Sequence, residues 1–484
     1  MKPKVFIRAD GNSQIGLGHL VRCIALANML KENFEIAFVC RDIPEDLKLD
    51  IEKVNMIVKI IEDERDFLNM IEPGSIVVLD NYEFDTQYQK NIKEKNTDLV
   101  CIDDLHDKKF EADLIINHAP GIAPEKYKAK LYTLFALGTD YALLRPEFIE
   151  QAKLERKIET IETAFICFGG GDAKNFTEMA LRTVLNFDSF KKIIVVTGSG
   201  YLHRESLKKL EHSDSRVDYY NSINAEKMRE LMSRSDLAIV PSSGILLEAL
   251  ACGCKIISGM TADNQKYVYS NYLNEDYFID SKDFSNESLN SAVKLSLNSG
   301  ETAKKKIDGK SKERLLKLFQ QLVLKNSVRL KKADASDLES TYEWASDPVV
   351  RAYSFNQNKI SKEEHTNWFS KIVKDENCLY LIAEADGEKL GSKIGSIRFD
   401  IKDKEAVISY LIAPKHHGKG LGQIILTNGL EYIGKEINQN NYDAKKIIGY
   451  VLEQNVPSVK AFERLGFTKI IEADRIKYEK EVLI

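Results

Sequence analysis

"RADGNSQIGLGHLVR", residues 8–22, joins an apolar run to an apolar-periodic segment, and its reading decides the fold. Ahead of it "KVFIRA" has strand length and a continuous apolar centre; behind it "HLVRCIALANML" places apolar residues at helical spacing. A strand that hands over to a helix through a glycine loop is the unit of a parallel sheet covered by helices. The unit recurs, with "FEIAFVC", "SIVVLDNY" and "DLVCIDD" as further unbroken apolar runs. It restarts at "TAFICFGGGD", followed by the helical "KNFTEMALRTVL", the strand "KIIVVTGSG", and strand, turn and helix in "DLAIVPSSGILLEALACG". The expectation is an α/β chain with two doubly wound Rossmann-like lobes, residues 1–155 and 156–325, separated by the charged stretch "QAKLERKIETIE".

Near residue 300 the chain turns lysine-rich, and Leu315, Leu318, Phe319 and Leu322 recur at helical spacing. This reads as an amphipathic helix that closes the second lobe. From "SVRLKKADASDLE" the texture changes to a helical start, then "CLYLIAEADG", "SKIGSIRFDI" and "EAVISYLIAP", then helices. Residues 326–484 are therefore expected to form a third, α+β domain. A length of 484 residues is too great for one core and fits this division. The net charge of −5 gives no basic field for nucleic acid or an anionic membrane. The N-terminal apolar run is too short for a signal-peptide core, and the chain is expected to be cytoplasmic with seven free thiols. Cys252 and Cys254 read as a buried turn rather than a metal site, and no metal is expected.

In an open parallel sheet, ligands bind beyond the carboxyl ends of the strands. "ADGNSQIGLGH" is such a loop, in which Gly16 and Gly18 allow close backbone approach and the helix that follows offers unpaired amides to an anion. His19 stands in the first turn, where the helix dipole favours a neutral imidazole able to accept a proton. Two readings are open for it, a base or a cap of its own helix. "FGGGD" and "PSSG" repeat the strand-loop-helix geometry, and Glu248, read as lying in the first turn after "SSG", suits ribose hydroxyls or simply the helix dipole.

Taken together and in order, "RADGNSQIGLGHLVRCIALA", "LDNY", "CIDD", "GTDYALLRPEF", "FGGGD", "SSGILLEAL" and "ADNQ" resemble the UDP-sugar hydrolase of the pseudaminic acid pathway, over roughly residues 1–325. The resemblance implies a metal-independent GT-B-like fold. It implies hydrolysis of UDP-2,4-diacetamido-2,4,6-trideoxy-beta-L-altropyranose by water at the anomeric carbon, releasing UDP. His19 would be the general base, with amides around Gly16, Gly18, Gly170, Gly171 and Ser243 on the diphosphate and Glu248 on the ribose. Asn264 and Gln265 would hydrogen-bond the sugar; Asp80, Tyr82 and Asp103 either shape the sugar pocket or cap local turns.

"YLIAPKHHGKGLGQIILTNGLEYI" is again strand, glycine loop and helix. With "YVLEQNVPSVKAFERLGF" it resembles the coenzyme A signature of the GNAT N-acetyltransferases. That family has a mixed sheet splayed open to receive the acetyl-thioester. The resemblance places acetyl-CoA on Leu411, Ile412, His417, Gly418, Lys419, Gly420, Leu421, Gly422, Asn455 and Ser458, with helix capping the alternative for Asn455. Phe462 stands where many relatives carry a tyrosine that protonates the leaving thiolate, so the general acid is undefined. "WASDPVVRAYSFNQNKISKEEHTNWF" is similar to the pathway's acetyltransferase of a UDP-linked 4-amino sugar; His365 and Trp368 line its sugar pocket or pack at the surface. The two resemblances imply consecutive steps on one UDP-linked amino or acetamido deoxy sugar. Rival readings are a GT-B glycosyltransferase with an accessory acetyltransferase and a non-catalytic sugar-nucleotide sensor; the oligomeric state is open.

Overall fold

The computed structural model describes residues 2–12, 16–262, 265–298, 307–385 and 393–482. The first nine strands are β1 (Lys4–Ala9), β2 (Glu35–Cys40), β3 (Ile57–Ile60), β4 (Ile76–Asp80), β5 (Asp98–Ile102), β6 (Lys109–Phe110), β7 (Leu114–Asn117), β8 (Lys128–Ala129) and β9 (Leu134–Leu137). Seven of them form a parallel sheet in the order β3-β2-β1-β4-β5-β7-β9, and β6 pairs with β8. β4 and β5 are buried along their whole length, as strands covered on both faces must be.

A second parallel sheet follows, from β10 (Thr163–Ile166), β11 (Lys192–Thr197), β12 (Val217–Asn221), β13 (Leu237–Pro241), β14 (Lys255–Gly259) and β15 (Ile279–Asp280). Its order, β12-β11-β10-β13-β14-β15, is that of a doubly wound dinucleotide-type sheet. In both sheets the order reverses beside the first strand, between β1 and β4 and between β10 and β13. The glycine loops read from sequence leave β1, β10 and β13 at these two reversals, where the crevice of such a sheet lies.

The third sheet is mixed: β16 (Val328–Lys332), β17 (Cys378–Ala385), β18 (Lys393–Lys402), β19 (Glu405–Ile412), β20 (Lys446–Val451), β21 (Thr468–Ile471) and β22 (Ile476–Glu481), in the order β16-β17-β18-β19-β20-β22-β21. β19 and β20 are its parallel pair, and they are in register only from Glu405–Lys446 to Ile408–Gly449. β19 stays paired to β18 as far as Ile412, so its outer edge parts from β20 over the last four residues. That wedge leaves backbone donors and acceptors for an extended ligand.

The helix Ser311–Lys325 buries Leu315, Leu318, Phe319 and Leu322 as its spacing predicts, but it does not close the second sheet. It returns to the first: Phe319 meets Phe34 at 6.0 Å between centroids, Arg314 Nη1 donates to the Asp140 carbonyl, and the helix packs on Gly18–Leu30. Periodicity shows that a helix has a buried face and is silent about what covers it. At its end the Lys325 ammonium is buried among Asp113 (2.7 Å), Asp98 (3.1 Å) and Glu431 (3.7 Å), the last from the third part of the chain. The third part also sits on the first through Lys480, whose ammonium donates to the Leu131 carbonyl, and through Gly466, packed against Phe135 and Pro124. All seven cysteines are free and buried, the Cys252–Cys254 turn included. No helix of the described residues is long and apolar enough to cross a membrane.

Two candidate active sites

His19 is the second residue of the helix Gly18–Leu30 and Asp80 the last of β4, so the strand-order reversal brings them together. His19 Nδ1 lies 2.7 Å from Asp80 Oδ1. Arg22, one turn on and on the same helix face, grips both oxygens of Asp80 at 2.6 Å and both oxygens of Asp104 at 2.7 and 2.8 Å. Its Nη2 also lies 3.3 Å from His19 Nδ1. A carboxylate can only accept, so the shorter contact with Asp80 calls for a proton on Nδ1, and in the neutral ring the lone pair is then on Nε2. Tyr82 stands edge-on to the imidazole at 4.8 Å and donates its phenol to Asp104.

Burial pushes the Asp80 carboxyl up, and Arg22 with His19 more than reverses this, holding it well below the usual carboxylate range. Asp80 is wholly buried, with Arg22, His19 and Cys23 on its two oxygens. This corrects its expected place in a sugar pocket: it orients His19. Asp103 caps a turn, accepting from the His106 amide at 2.8 Å. Sequence reasoning passed over Arg22, Asp104 and His118, although the i, i+3 spacing of His19 and Arg22 and the paired acids of "CIDD" were visible.

His118, at the end of β7, is buried, and its carbonyl accepts from Tyr272 of the second part. Burial, helped by Arg22, lowers its imidazole to about 4. The folded ring therefore stays neutral where the unfolded one, at 6.5, takes a proton. Between pH 6.5 and about 4 the unfolded state binds more protons, so stability falls as the pH falls and levels off below that window. The expected loss is about 3 kcal/mol. Denaturant titrations at several pH values will show this slope in the wild type and its removal in His118→Gln.

In the first loop Gly16 holds φ +82°, a left-handed conformation that favours glycine, and the helix after it has no side-chain cap. Gly18 opens that helix, leaving its first amides toward the crevice. The second sheet differs from expectation at "FGGGD". Asp172 accepts from the Phe176 and Thr177 amides at 2.9 and 2.8 Å, so a protein carboxylate already occupies that helix terminus. Gly170 and Gly171 lie in the loop before it, Gly170 packed backbone to backbone on Gly198. Ser243 precedes the helix Gly244–Ala251 without capping it, so no side chain caps the first amides after the "PSSG" turn. Glu248 is the fifth residue of that helix, not in its first turn, and Arg145 holds both its oxygens at 2.7 and 2.8 Å. Arg145 comes from "GTDYALLRPEF", which gives that motif a physical role. Gln265 turns back on Thr261, accepting from its amide at 2.8 Å; Asn264 lies outside the described residues.

The second site is a cavity of 1120 Å³ at the β19–β20 wedge. Leu411, Ile412, His417, Gly418, Gly420, Leu421, Gly422, Asn455 and Ser458 line it. Lys419 of the expected set does not; its ammonium turns to His416 Nδ1 at 3.3 Å. Gly420 holds φ +76° and starts the helix Leu421–Asn438 without a side-chain cap. Asn455 caps the helix Val456–Arg464, accepting from the Ser458 amide. Phe462 is core: it stacks on Tyr478 and covers Gly449, where any Cβ would lie 2.4 Å from its ring. Tyr353, Tyr380 and Tyr410 all line the cavity; the Tyr410 phenol donates to Ser458 Oγ at 2.8 Å and is pushed up to about 12 by burial. His365 and Trp368 both line the cavity, with Arg398 over the Trp368 ring. Lys317, Arg351, Lys359, Lys460 and Arg464 stand around it, with Arg398 paired to Asp400 at 2.8 Å, and the one acid among the described lining residues, Glu364, is committed to Ser361.

Residues 327–468 match the acetyltransferase (GNAT) domain family, so the chain joins two parallel-sheet parts to a GNAT domain. Over 96% of its length it is 27% identical to an uncharacterized protein of Methanocaldococcus jannaschii, covering 97% of that protein. Over 51% of its length it is 27% identical to the UDP-2,4-diacetamido-2,4,6-trideoxy-beta-L-altropyranose hydrolase of Campylobacter jejuni, covering 88% of that enzyme. Over 30% it is 21% identical to the spermidine N(1)-acetyltransferase of Vibrio cholerae, covering 82% of that enzyme.

Proposed function

We propose that the chain is a bifunctional enzyme of pseudaminic acid biosynthesis, with the hydrolytic site on residues 1–155 and 156–325 and the acetyl-transfer site on residues 326–484. The GNAT part N-acetylates the 4-amino group of a UDP-linked deoxy sugar. The first two parts then hydrolyse the UDP-2,4-diacetamido-2,4,6-trideoxy-beta-L-altropyranose to free sugar and UDP. The observation that carries the hydrolytic reading is His19 held through Nδ1 by Asp80, its Nε2 left as a base.

In hydrolysis, Nε2 of His19 removes a proton from water as the oxygen attacks the anomeric carbon. The bond to the diphosphate oxygen breaks and UDP leaves with the electron pair. Uncapped amides at the Gly16–Gly18 and Ser243–Gly244 turns receive the charge that develops there. Glu248, fixed by Arg145, meets the ribose at the edge of the same turn.

In acetyl transfer the sugar amine attacks the thioester carbonyl, the C–S bond breaks and the thiolate leaves with the electron pair; the amine gives up one proton through water to solvent and the thiolate takes one from a phenol in the cavity. Tyr410 replaces the missing tyrosine at Phe462: its raised phenol stays protonated and lies in the cavity. Tyr410→Phe is expected to lower kcat for acetylation about 10- to 100-fold with KM for acetyl-CoA unchanged, measured by thiol release. The cations around this cavity favour an anionic acceptor such as a nucleoside diphosphate sugar over a polyamine.

Mass spectrometry of products from the UDP-4-amino sugar plus acetyl-CoA tests the whole scheme. Acetylated UDP-sugar followed by free diacetamido sugar and UDP is the expected result. UDP release that requires an acceptor hydroxyl would make the first two parts a glycosyltransferase, and binding without turnover would make them a sensor. Acetylation of spermidine in place of the UDP-sugar would overturn the acceptor.

A further inference from the structure

We propose that the acetyl-CoA site is built across the junction. The helix Ser311–Lys325, which precedes the GNAT domain, completes it with Gln321 and Lys317, which bind phosphate groups of the cosubstrate. This rests on the acetyl-transfer reading above. Both residues line the 1120 Å³ cavity together with Gly418 and Gly420 of the glycine loop. A Cβ built on Gly420 would lie 3.6 Å from Gln321 Nε2, so the carboxamide lies against the loop whose amides would meet the diphosphate on the acetyl-transfer reading.

Gln321 is 8% exposed, and its Oε1 has no hydrogen-bond partner among the described residues. A buried amide left this way is costly, and a ligand hydroxyl or amide would satisfy it while Nε2 donates to a phosphate oxygen. Lys317 lies one turn earlier on the same face and is exposed, which brings an ammonium to the rim of the same cavity. Another unmet group stands in the cavity wall. His416 Nδ1 faces the Lys419 ammonium and must accept, which puts the ring proton on Nε2, and that atom is buried without a partner. A ligand rich in phosphate oxygens answers these donors together.

The helix is fixed well enough to act as a wall. Asn428, on the helix that starts at the glycine loop, donates to the carbonyls of Lys325 and Val328 at 3.2 and 2.9 Å. Lys325 itself is locked by its carboxylates on both sides of the junction.

Titration calorimetry of the full chain with CoA and with 3′-dephospho-CoA tests the assignment. Gln321→Ala and Lys317→Ala are each expected to weaken CoA about tenfold, and to raise KM for acetyl-CoA equally, with the melting temperature of Lys317→Ala unmoved. A Lys317 effect that vanishes with 3′-dephospho-CoA places the ammonium on the 3′-phosphate; one that persists places it on the diphosphate, and both support the proposal. Wild-type affinity in both variants overturns it. A wild-type chain that fails to bind CoA would instead overturn the acetyl-transfer reading on which it rests.

Discussion

His19→Ala is expected to slow UDP release from the diacetamido sugar nucleotide by about 10³- to 10⁴-fold while acetyl transfer continues at the wild-type rate. The imidazole sits at the strand-order reversal with one nitrogen committed to Asp80, so on the proposed hydrolytic reading the other would accept the proton of water. Asp80→Asn sharpens the test because an amide can donate to Nδ1 and turn the tautomer round, leaving the proton on Nε2. Its loss should approach that of His19→Ala although the residue touches no substrate. Coupled detection of UDP, with thiol release from acetyl-CoA as the internal control for folding, separates the two sites in one sample. Unchanged UDP release in His19→Ala would remove the base from the mechanism.

Lys325→Met is expected to destabilise the chain by about 3–5 kcal/mol, since it strands Asp98 and Asp113, 2% and 1% exposed, without their shared cation. Asp113 now lies below the ordinary carboxylate range: burial raises it, but Lys325 and Lys93 outweigh that, and Asp98 is pushed up by burial and by Asp113. Loss of the ammonium raises both carboxyls, so they protonate at a higher pH in the folded state. The deficit is therefore largest at neutral pH and shrinks as the pH falls. Denaturant midpoints at pH 7 and pH 5 measure this, and Asp98→Asn with Asp113→Asn in the Lys325→Met background should return most of the loss. A deficit below about 1 kcal/mol at neutral pH would mean the ammonium is not buried as described.

The parallel sheets were legible because unbroken apolar strands alternate with helical periodicity and glycine loops marked their carboxyl ends, whereas the mixed order of the third sheet was expected only from the resemblance to the GNAT family. His19, in the first turn after such a loop, could be read from sequence as a base or as a cap of its own helix, and the fold adds its contact with Asp80. That partner was not legible, since Asp80 looks like any strand-end carboxylate until the strand order sets β4 beside β1. The same limit hid Arg145 behind Glu248, two residues 103 positions apart that only the fold joins. At "FGGGD" the glycines drew attention from the aspartate that fills the helix terminus itself. The cover of the helix Ser311–Lys325 and the fate of Phe462 are questions of packing partner, on which spacing within one segment carries no information.

The helix that ends the second part is cemented to the first and to the third, so the two reaction centres share a single foundation. Any swing of the second sheet to grip or free a nucleotide would leave the distance between the imidazole and the thioester pocket constant. On the proposed function, a sugar passing from one site to the other would cross a gap of fixed width, set by masonry rather than by a tether.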